Sequence, residues 1–348
     1  MRTGLLRGLN WLAIFAVMML VTGFQYTSAS NKTAAGEKQS TALPAEDWTS
    51  LNLATSNLRA EKPLRGQKDD FATFTRELLQ VQWRPGDAID LYIIRPKGIV
   101  KPPVILYLYG YPSETDRFRD NDYCDRITRN GFAAVGFVSA LTGHRYHDRP
   151  MKEWFVSQLQ EALASSTHDV QMILNYLAER GDVDMSNVAM FGEGSGGTIA
   201  ILAAAADPRI QTLDLLDPWA DWPEWLAHSY VVPEEERKNY VTPEFLAKVA
   251  PLDPVLWLPQ LQTPHVRLQQ VMDDSETPQA AKQRLEAAAP RNAAVQRYED
   301  TSKLFTAVSG GRLFDWMKQT MRPPSQKLTD RAASQTQPAQ PPVPGNQN

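Results

Sequence analysis

The first clear patterning in the chain lies between residues 79 and 93, where apolar and polar side chains alternate. Segments 79–83 and 89–93 each place an apolar residue at every second position, and Arg84-Pro-Gly-Asp87 separates them. Successive side chains of a strand point to opposite faces, so a period of two is typical of a strand with one buried face. Two such segments joined by a Pro-Gly turn predict an antiparallel β-hairpin.

Beyond the hairpin the apolar residues form continuous runs, which are typical of strands covered on both faces. Segments of helical period lie between these runs; Thr167 is predicted to cap one helix, and Gly131 and Gly181 to end two. Strands are predicted at 104–109, 132–138, 188–192, 210–216, 266–272 and 295–298, and helices at 116–130, 167–180, 195–206 and 313–321. Alternation of strand and helix predicts a parallel sheet with right-handed crossovers.

The segment 188–203 predicts a short buried strand, a glycine-rich corner and a helix of small apolar residues. Its corner reads Gly192-Glu-Gly-Ser-Gly-Gly197. Here the chain resembles the α/β-hydrolase superfamily, whose nucleophile elbow carries the motif GxSxG on a strand-turn-helix corner. The resemblance extends over the order and spacing of elements from about residue 78 to 321, and it is esterase-like or acyl-peptidase-like.

This resemblance implies the α/β-hydrolase fold, a mostly parallel, doubly wound sheet with an antiparallel N-terminal hairpin and a helical lid insertion at about 222–261. It also implies a Ser-His-Asp triad, and here the sequence departs from the family. With Gly192 as the first glycine of the motif, Gly194 holds the nucleophile position and Ser195 follows one residue late. If Ser195 is instead the nucleophile, Glu193 stands where the motif needs glycine. A corner kept for packing alone is the third interpretation.

The oxyanion hole that the resemblance implies consists of backbone N–H groups. The loop after strand 104–109 offers Gly110 and Tyr111, and the corner offers Ser195 and Gly196. Because a backbone donor does not depend on the side chain, this part of the site can persist without the family's usual residues. A simple turn at Tyr111 is the alternative.

The acid and the base of the triad are expected after the last two predicted strands. Asp273 and Asp274 directly follow strand 266–272, where the family carries its acid, although adjacent aspartates are also common in turns and helix caps. The place of the family's histidine holds Asp300-Thr-Ser-Lys303, and no histidine follows His265.

Two histidines stand in the loop after strand 132–138, at an edge where α/β sheets bind ligands. His144 and His147 are followed by Asp148. They are candidates for a relocated base acting on Ser195. As a metal-binding pattern the group is weak, and we predict no metal and no cofactor.

The densest aromatic and acidic cluster follows strand 210–216. Asp217, Trp219, Asp221 and Trp222 are candidate cleft residues, with Trp225 close behind. Large apolar side chains usually serve as packing mass, so packing of the lid and core is the first interpretation. A platform that stacks a sugar or an aromatic acyl group is the alternative.

Composition limits the classes of function. The 348 residues are 43% hydrophobic, which is enough to form the core of one large domain. The formal charge is −4, and no patch of basic and aromatic residues indicates binding to nucleic acid. The single cysteine, Cys124, excludes an intramolecular disulfide. We therefore expect a small-molecule or peptide ligand rather than a nucleic acid.

The ends of the chain predict export. Residues 1–30 combine Arg2 and Arg7 with an apolar run at 11–24 and an end of small residues, which is typical of a signal peptide. An uncleaved membrane anchor is the alternative. It is the only contact with a membrane that we predict. Residues 31–70 are predicted to be a flexible leader, 71–322 the folded domain and 323–348 a disordered tail rich in Pro and Gln. The destination is periplasmic or secreted.

These patterns lead to three hypotheses of function. The first is an exported α/β-hydrolase-fold protein with an eroded triad, which binds a small ester, peptide, sugar or protein. The second is an active serine hydrolase with a rewired triad that uses Ser195, because an unassisted hydroxyl is a poor nucleophile and needs a base. The third is an envelope scaffold whose tail is a linker.

Overall fold

The computed structural model describes residues 58–84, 86–141 and 155–322. The described strands form one nine-stranded sheet in the order β1-β2-β3-β5-β4-β6-β7-β8-β9. Their bounds are β1 Leu64–Asp70, β2 Phe74–Val81, β3 Ile89–Pro96, β4 Pro103–Leu108, β5 Ala133–Phe137, β6 Asp184–Glu193, β7 Ile210–Leu216, β8 His265–Val271 and β9 Ala294–Tyr298.

Helices cover both faces of this sheet. The described α-helices are α1 Asn121–Thr128, α2 Leu159–Arg180, α3 Ser195–Ala206, α4 Trp222–His228, α5 Arg237–Tyr240, α6 Pro243–Val249, α7 Pro254–Trp257, α8 Gln279–Ala288, α9 Thr301–Val308 and α10 Asp315–Thr320. Short 3-10 helices span Asp116–Arg119, Phe155–Gln158, Ala250–Leu252, Leu258–Gln260 and Ser309–Phe314.

The sheet has the predicted mixed character. β1, β2 and β3 pair antiparallel, β3 is antiparallel to β5, and β4 to β9 pair with one another only in parallel. The parallel strands therefore end at a common carboxyl edge, where β4, β6, β7 and β8 each lead into a loop. The predicted fold class, a mostly parallel doubly wound sheet with an antiparallel N-terminal hairpin, is confirmed.

Two apolar clusters explain why the central strands are apolar throughout. Along β4, Val104 and Leu106 pack into one cluster with α2 and α3, whereas Ile105 and Tyr107 pack into the other with α1 and α10. All six residues of β4 are buried. A strand covered on both faces has no side that tolerates polar residues, so the alternation seen in the hairpin disappears.

The hairpin is confirmed, and a further strand lies beside it. β2 and β3 pair from Phe74 opposite Pro96 to Val81 opposite Ile89. β1 joins the edge by pairing with β2, although its residues LRGQKDD are almost all exposed. The predicted leader 31–70 is therefore wrong at its end: main-chain pairing holds Leu64–Asp70, and such pairing leaves no apolar period in the sequence.

Helix α2 begins earlier than predicted. Thr167 lies inside the helix, where its hydroxyl donates to the Leu163 carbonyl oxygen at 2.9 Å, so it is not a cap. The predicted end is confirmed, because Gly181 closes the helix with a φ of 68°. Gly131 likewise has a positive φ, of 88°, after α1.

In the described part of the chain, no helix combines the length and apolarity that a bilayer span requires. The predicted signal segment at 1–30, most of the leader and the tail at 323–348 lie outside the described residues.

Candidate functional site

Gly194 forms the apex of the corner between β6 and α3. Its backbone has φ 54° and ψ −121°, a combination that side-chain-bearing residues adopt only under strain. The Gly194 N–H donates to the Leu216 carbonyl oxygen at 3.0 Å, and the Gly194 carbonyl oxygen accepts from the Trp219 N–H at 3.3 Å. The apex is thus fixed to the end of β7 and to the loop after it.

Two neighbouring glycines decide the register of the motif. A β-carbon on Gly192 would lie 2.6 Å from the Gly197 Cα, and a β-carbon on Gly196 would overlap the Leu108 carbonyl oxygen. These are therefore the packing glycines that flank the apex, and Gly194 occupies the position that carries the nucleophile in GxSxG. The apex has no side chain that can attack a substrate.

Ser195 lies in the place of the oxyanion donor. It is the first residue of α3, it is fully buried, and its Oγ accepts the backbone N–H of Tyr111 at 2.8 Å. Tyr111 was predicted to donate to an oxyanion, but here its N–H is paired with the serine hydroxyl. Among the described residues, this N–H is the only hydrogen-bond partner of Ser195 Oγ.

A carboxylate fills the space in front of Gly194. A β-carbon on Gly194 would lie 2.9 Å from Glu276 Oε1 and 3.8 Å from the Gly110 Cα. Glu276 accepts from Trp219 Nε1 at 2.6 Å and from the Tyr230 hydroxyl at 3.2 Å. Burial raises the pKa of Glu276, and the nearby charge of Asp274 raises it further.

Our sequence reasoning missed Glu276. The residue lies two positions after Asp274, in the loop that was already a candidate for the triad acid. Only the turn of that loop directs it toward Gly194, and nothing in the residue spacing distinguishes it from its acidic neighbours.

The predicted acid positions serve the loop itself. Asp274 Oδ1 accepts the backbone N–H of Glu276 at 2.8 Å, the arrangement of a short side-chain-closed turn, and Asp273 is exposed. After β9, Asp300 caps α9 by accepting the N–H of Lys303 at 2.8 Å. These contacts match the turn and cap alternatives.

None of the described histidines is hydrogen-bonded to Gly194 or Ser195. His168 Nδ1 is 2.8 Å from the Ala164 carbonyl oxygen, and His228 pairs with Glu224 at 3.1 Å. His265 begins β8 and so lies at the opposite edge of the sheet. His144 and His147, the candidate bases of a rewired triad, lie outside the described residues.

The predicted cleft residues are largely packed inside. Trp219, Trp222 and Trp225 are fully buried, with the rings of Trp219 and Trp225 only 4.6 Å apart. That burial favours packing over a stacking platform. Asp221 lies in a groove apart from Gly194, described below.

Asp217 holds two strand ends together. Its carboxylate accepts the Val271 N–H at 3.0 Å and lies 3.7 Å from Lys282 Nζ. Burial raises the pKa of Asp217 to about 7, although the charge of Lys282 opposes the rise. This carboxyl acts in the interior between β7 and β8 rather than at an open cleft.

We refer to Tyr111, Glu193, Gly194, Tyr230 and Glu276 as the Gly194 site. Burial raises the pKa of Glu193, whose carboxylate lies 3.9 Å from the Arg117 guanidinium. Tyr230 is 61% exposed. The site therefore presents acidic acceptors and an exposed ring. No cluster of three His, Cys, Asp or Glu residues arranged to hold a metal ion occurs within the described ranges.

Comparisons by sequence find no matching family model and no curated protein. Comparison by structure finds an acetyl xylan esterase from Thermoanaerobacterium, with TM-score 0.57 and 16% identity, over 73% of this chain and 86% of the esterase. An acetyl xylan esterase from Paenibacillus matches with TM-score 0.53 and 16% identity, over 73% of this chain and 85% of its own.

The acylaminoacyl peptidase of Pyrococcus horikoshii is also similar, with TM-score 0.51 and 12% identity, over 77% of this chain and 51% of the peptidase. At such identities the likeness concerns the fold. The chain has the α/β-hydrolase fold, as the corner and the order of elements predicted.

Proposed function

We propose that this protein is an exported ligand-binding member of the α/β-hydrolase fold that has lost serine-dependent acyl transfer. The observation that carries this proposal is Gly194 at the apex of the corner, with the Glu276 carboxylate in the space that a nucleophile would occupy. An acyl hydrolase needs an attacking atom there and a base within hydrogen-bond reach.

The Gly194 site favours a ligand rich in hydrogen-bond donors. Glu193 and Glu276 supply acceptors, and the exposed ring of Tyr230 supplies an apolar surface at the same place. A saccharide combines hydroxyl donors with an apolar ring face. Two structural neighbours are acetyl xylan esterases, so xylotetraose is a reasonable first probe.

Activity is tested with a fluorophosphonate probe and with p-nitrophenyl acetate, on the wild type and on Ser195→Ala. We expect neither protein to be labelled and both to hydrolyse the ester at the same background rate, because Ser195 Oγ is buried and paired with Tyr111. Enzymatic turnover that disappears in Ser195→Ala would instead identify Ser195 as a nucleophile and support the rewired hydrolase, for which His144 and His147 are the candidate bases.

Binding is tested by calorimetric titration of xylotetraose into the wild type, Tyr230→Ala and Phe305→Ala. Phe305 on α9 is 57% exposed and serves as the matched loss of an exposed ring elsewhere. Loss of a stacking ring costs about 1 kcal/mol, so we expect affinity to fall about fivefold in Tyr230→Ala and to stay unchanged in the control. Equal affinity in all three proteins would show that xylotetraose does not bind at the Gly194 site.

A further inference from the structure

A second candidate site lies in a groove between α4, α6, α7 and α8. The groove has a volume of about 430 Å³. Leu246, Val255 and Leu256 form its apolar wall, and Asp221 and Arg284 supply polar atoms. An apolar wall with a few convergent polar groups is the usual composition of a small-molecule pocket.

Asp221 is the unusual residue of this groove. It is only 3% exposed, and its backbone has a positive φ of 57°. Its Oδ1 accepts from Arg284 Nη1 at 3.0 Å, whereas its buried Oδ2 has no hydrogen-bond partner. A buried acceptor without a partner is rare in folded proteins and indicates a missing donor.

The charges around Asp221 favour a cationic donor. Asp253 and Glu224 place negative charge near its carboxylate, and Arg284 is the opposing cation. Asp253 is itself occupied, since it accepts the backbone N–H groups of Asp221 and Trp222 at 3.0 and 2.9 Å. Arg284 is 64% exposed in its side chain, so its charge is partly screened by solvent.

We propose that this groove binds a primary organic amine with an apolar substituent. The ammonium group donates to the carboxylate of Asp221, and the apolar part lies on Leu246, Val255 and Leu256. Oδ2 is closed to solvent, so the ammonium group reaches this under-satisfied carboxylate at Oδ1, where it competes with the largely exposed Arg284. A neutral alcohol supplies a donor without the charge, and a carboxylic acid is repelled. This site is independent of the function proposed for the Gly194 site.

The test is calorimetric titration of the full chain with n-hexylamine, 1-hexanol and hexanoate at neutral pH. A hydrogen bond to a charged group contributes about 2 kcal/mol, so we expect the amine to bind at least about tenfold more tightly than the alcohol. Hexanoate is expected not to bind. Equal affinities for amine and alcohol, or no amine binding, would overturn the proposal.

Three variants assign the binding to the groove. Asp221→Asn keeps a residue type that tolerates positive φ and should weaken amine binding about tenfold. Ala247→Phe fills the groove from an exposed position and should also weaken it, without altering any charge. Arg284→Gln removes the competing cation and should tighten amine binding. Unchanged affinity in Ala247→Phe, or weaker binding in Arg284→Gln, contradicts the proposed site whether or not Asp221→Asn folds.

The source of the amine is tested with a leucyl-leucine amide and its N-acetylated form. Tighter binding of the free peptide than of n-hexylamine identifies a peptide amino terminus as the ligand, and the reverse identifies a free amine. Either result supports the amine site, provided that Ala247→Phe weakens the binding. Equal binding of the acetylated and free peptides contradicts it.

Discussion

On the sheet side of the β6–α3 corner, Gly192 and Gly196 leave no room for a β-carbon. On the cleft side, the Glu276 carboxylate fills the space in front of Gly194. On the sheet side the close contacts are with backbone atoms, which cannot move aside as a side chain can. On the cleft side the closest contact is with the end of a side chain. The difference teaches that backbone packing holds the corner on its sheet side, whatever side chains occupy its cleft side.

The largest effect is expected on the sheet side. Gly196→Ala places a β-carbon on the Leu108 carbonyl oxygen, so β4 and α3 must separate, and we expect a loss of about 5 kcal/mol in the free energy of unfolding. Urea denaturation measures it. Gly66→Ala, where a β-carbon approaches no atom closer than 3.4 Å, is the matched control and should change stability little. A small loss in Gly196→Ala would contradict the packing role.

Asp217 offers a second way to probe the interior beside the corner. Because burial raises its folded-state pKa to about 7, the folded protein binds this proton more tightly than the unfolded chain does. Its contribution to stability is therefore fully present below about pH 4 and is lost as the pH rises through 7. A shift of this size corresponds to roughly 4 kcal/mol at most.

The measurement is urea denaturation of wild type and Asp217→Asn from pH 4.5 to 7.5. Asn tolerates the positive φ of 44° at this position and does not titrate. We expect the stability of the wild type to fall relative to the variant as the pH rises. Parallel pH profiles of the two proteins would show that Asp217 titrates normally in the fold.

On the cleft side the effects should be smaller. Gly194→Ser places a side chain in a strained backbone conformation and 2.9 Å from Glu276 Oε1, and we expect a loss of about 2 kcal/mol with no gain of esterase activity. Glu276→Ala in the same chain removes the close contact and should restore part of that stability. Additive losses in the double variant would show that the two positions do not interact.

The smallest effect is expected at Ser195. Ser195→Ala removes the hydroxyl that accepts the half-buried N–H of Tyr111, which costs about 1 kcal/mol in the free energy of unfolding. Ser302→Ala, at an exposed position on α9, is the control and should be neutral. If Ser195→Ala lost as much free energy of unfolding as Gly196→Ala, the sheet side and the cleft side of the corner would not differ in their effect on stability.

Local patterns predicted the fold well where one rule decided the outcome. The period of two placed the β2–β3 hairpin, continuous apolar runs placed β4 to β8, and Gly181 marked the end of α2. Prediction failed at two places where the local pattern did not decide the outcome. β1 is held by pairing with β2 and has no apolar period, and Thr167 bonds within a helix that begins eight residues earlier.

The amino-acid sequence by itself determined the strand-turn-helix corner, because glycine content and residue order are local properties. It also determined that Gly194 stands at the serine position of GxSxG if Gly192 is the first glycine of the motif. It left open whether Gly194 or Ser195 is the apex. Only the tertiary structure decided this, since the answer depends on which glycines touch Leu108 and Gly197 across the corner. The same holds for Glu276 and Asp221, whose neighbours Gly194 and Arg284 are brought to them by folding, so that residue spacing alone contains no trace of either contact.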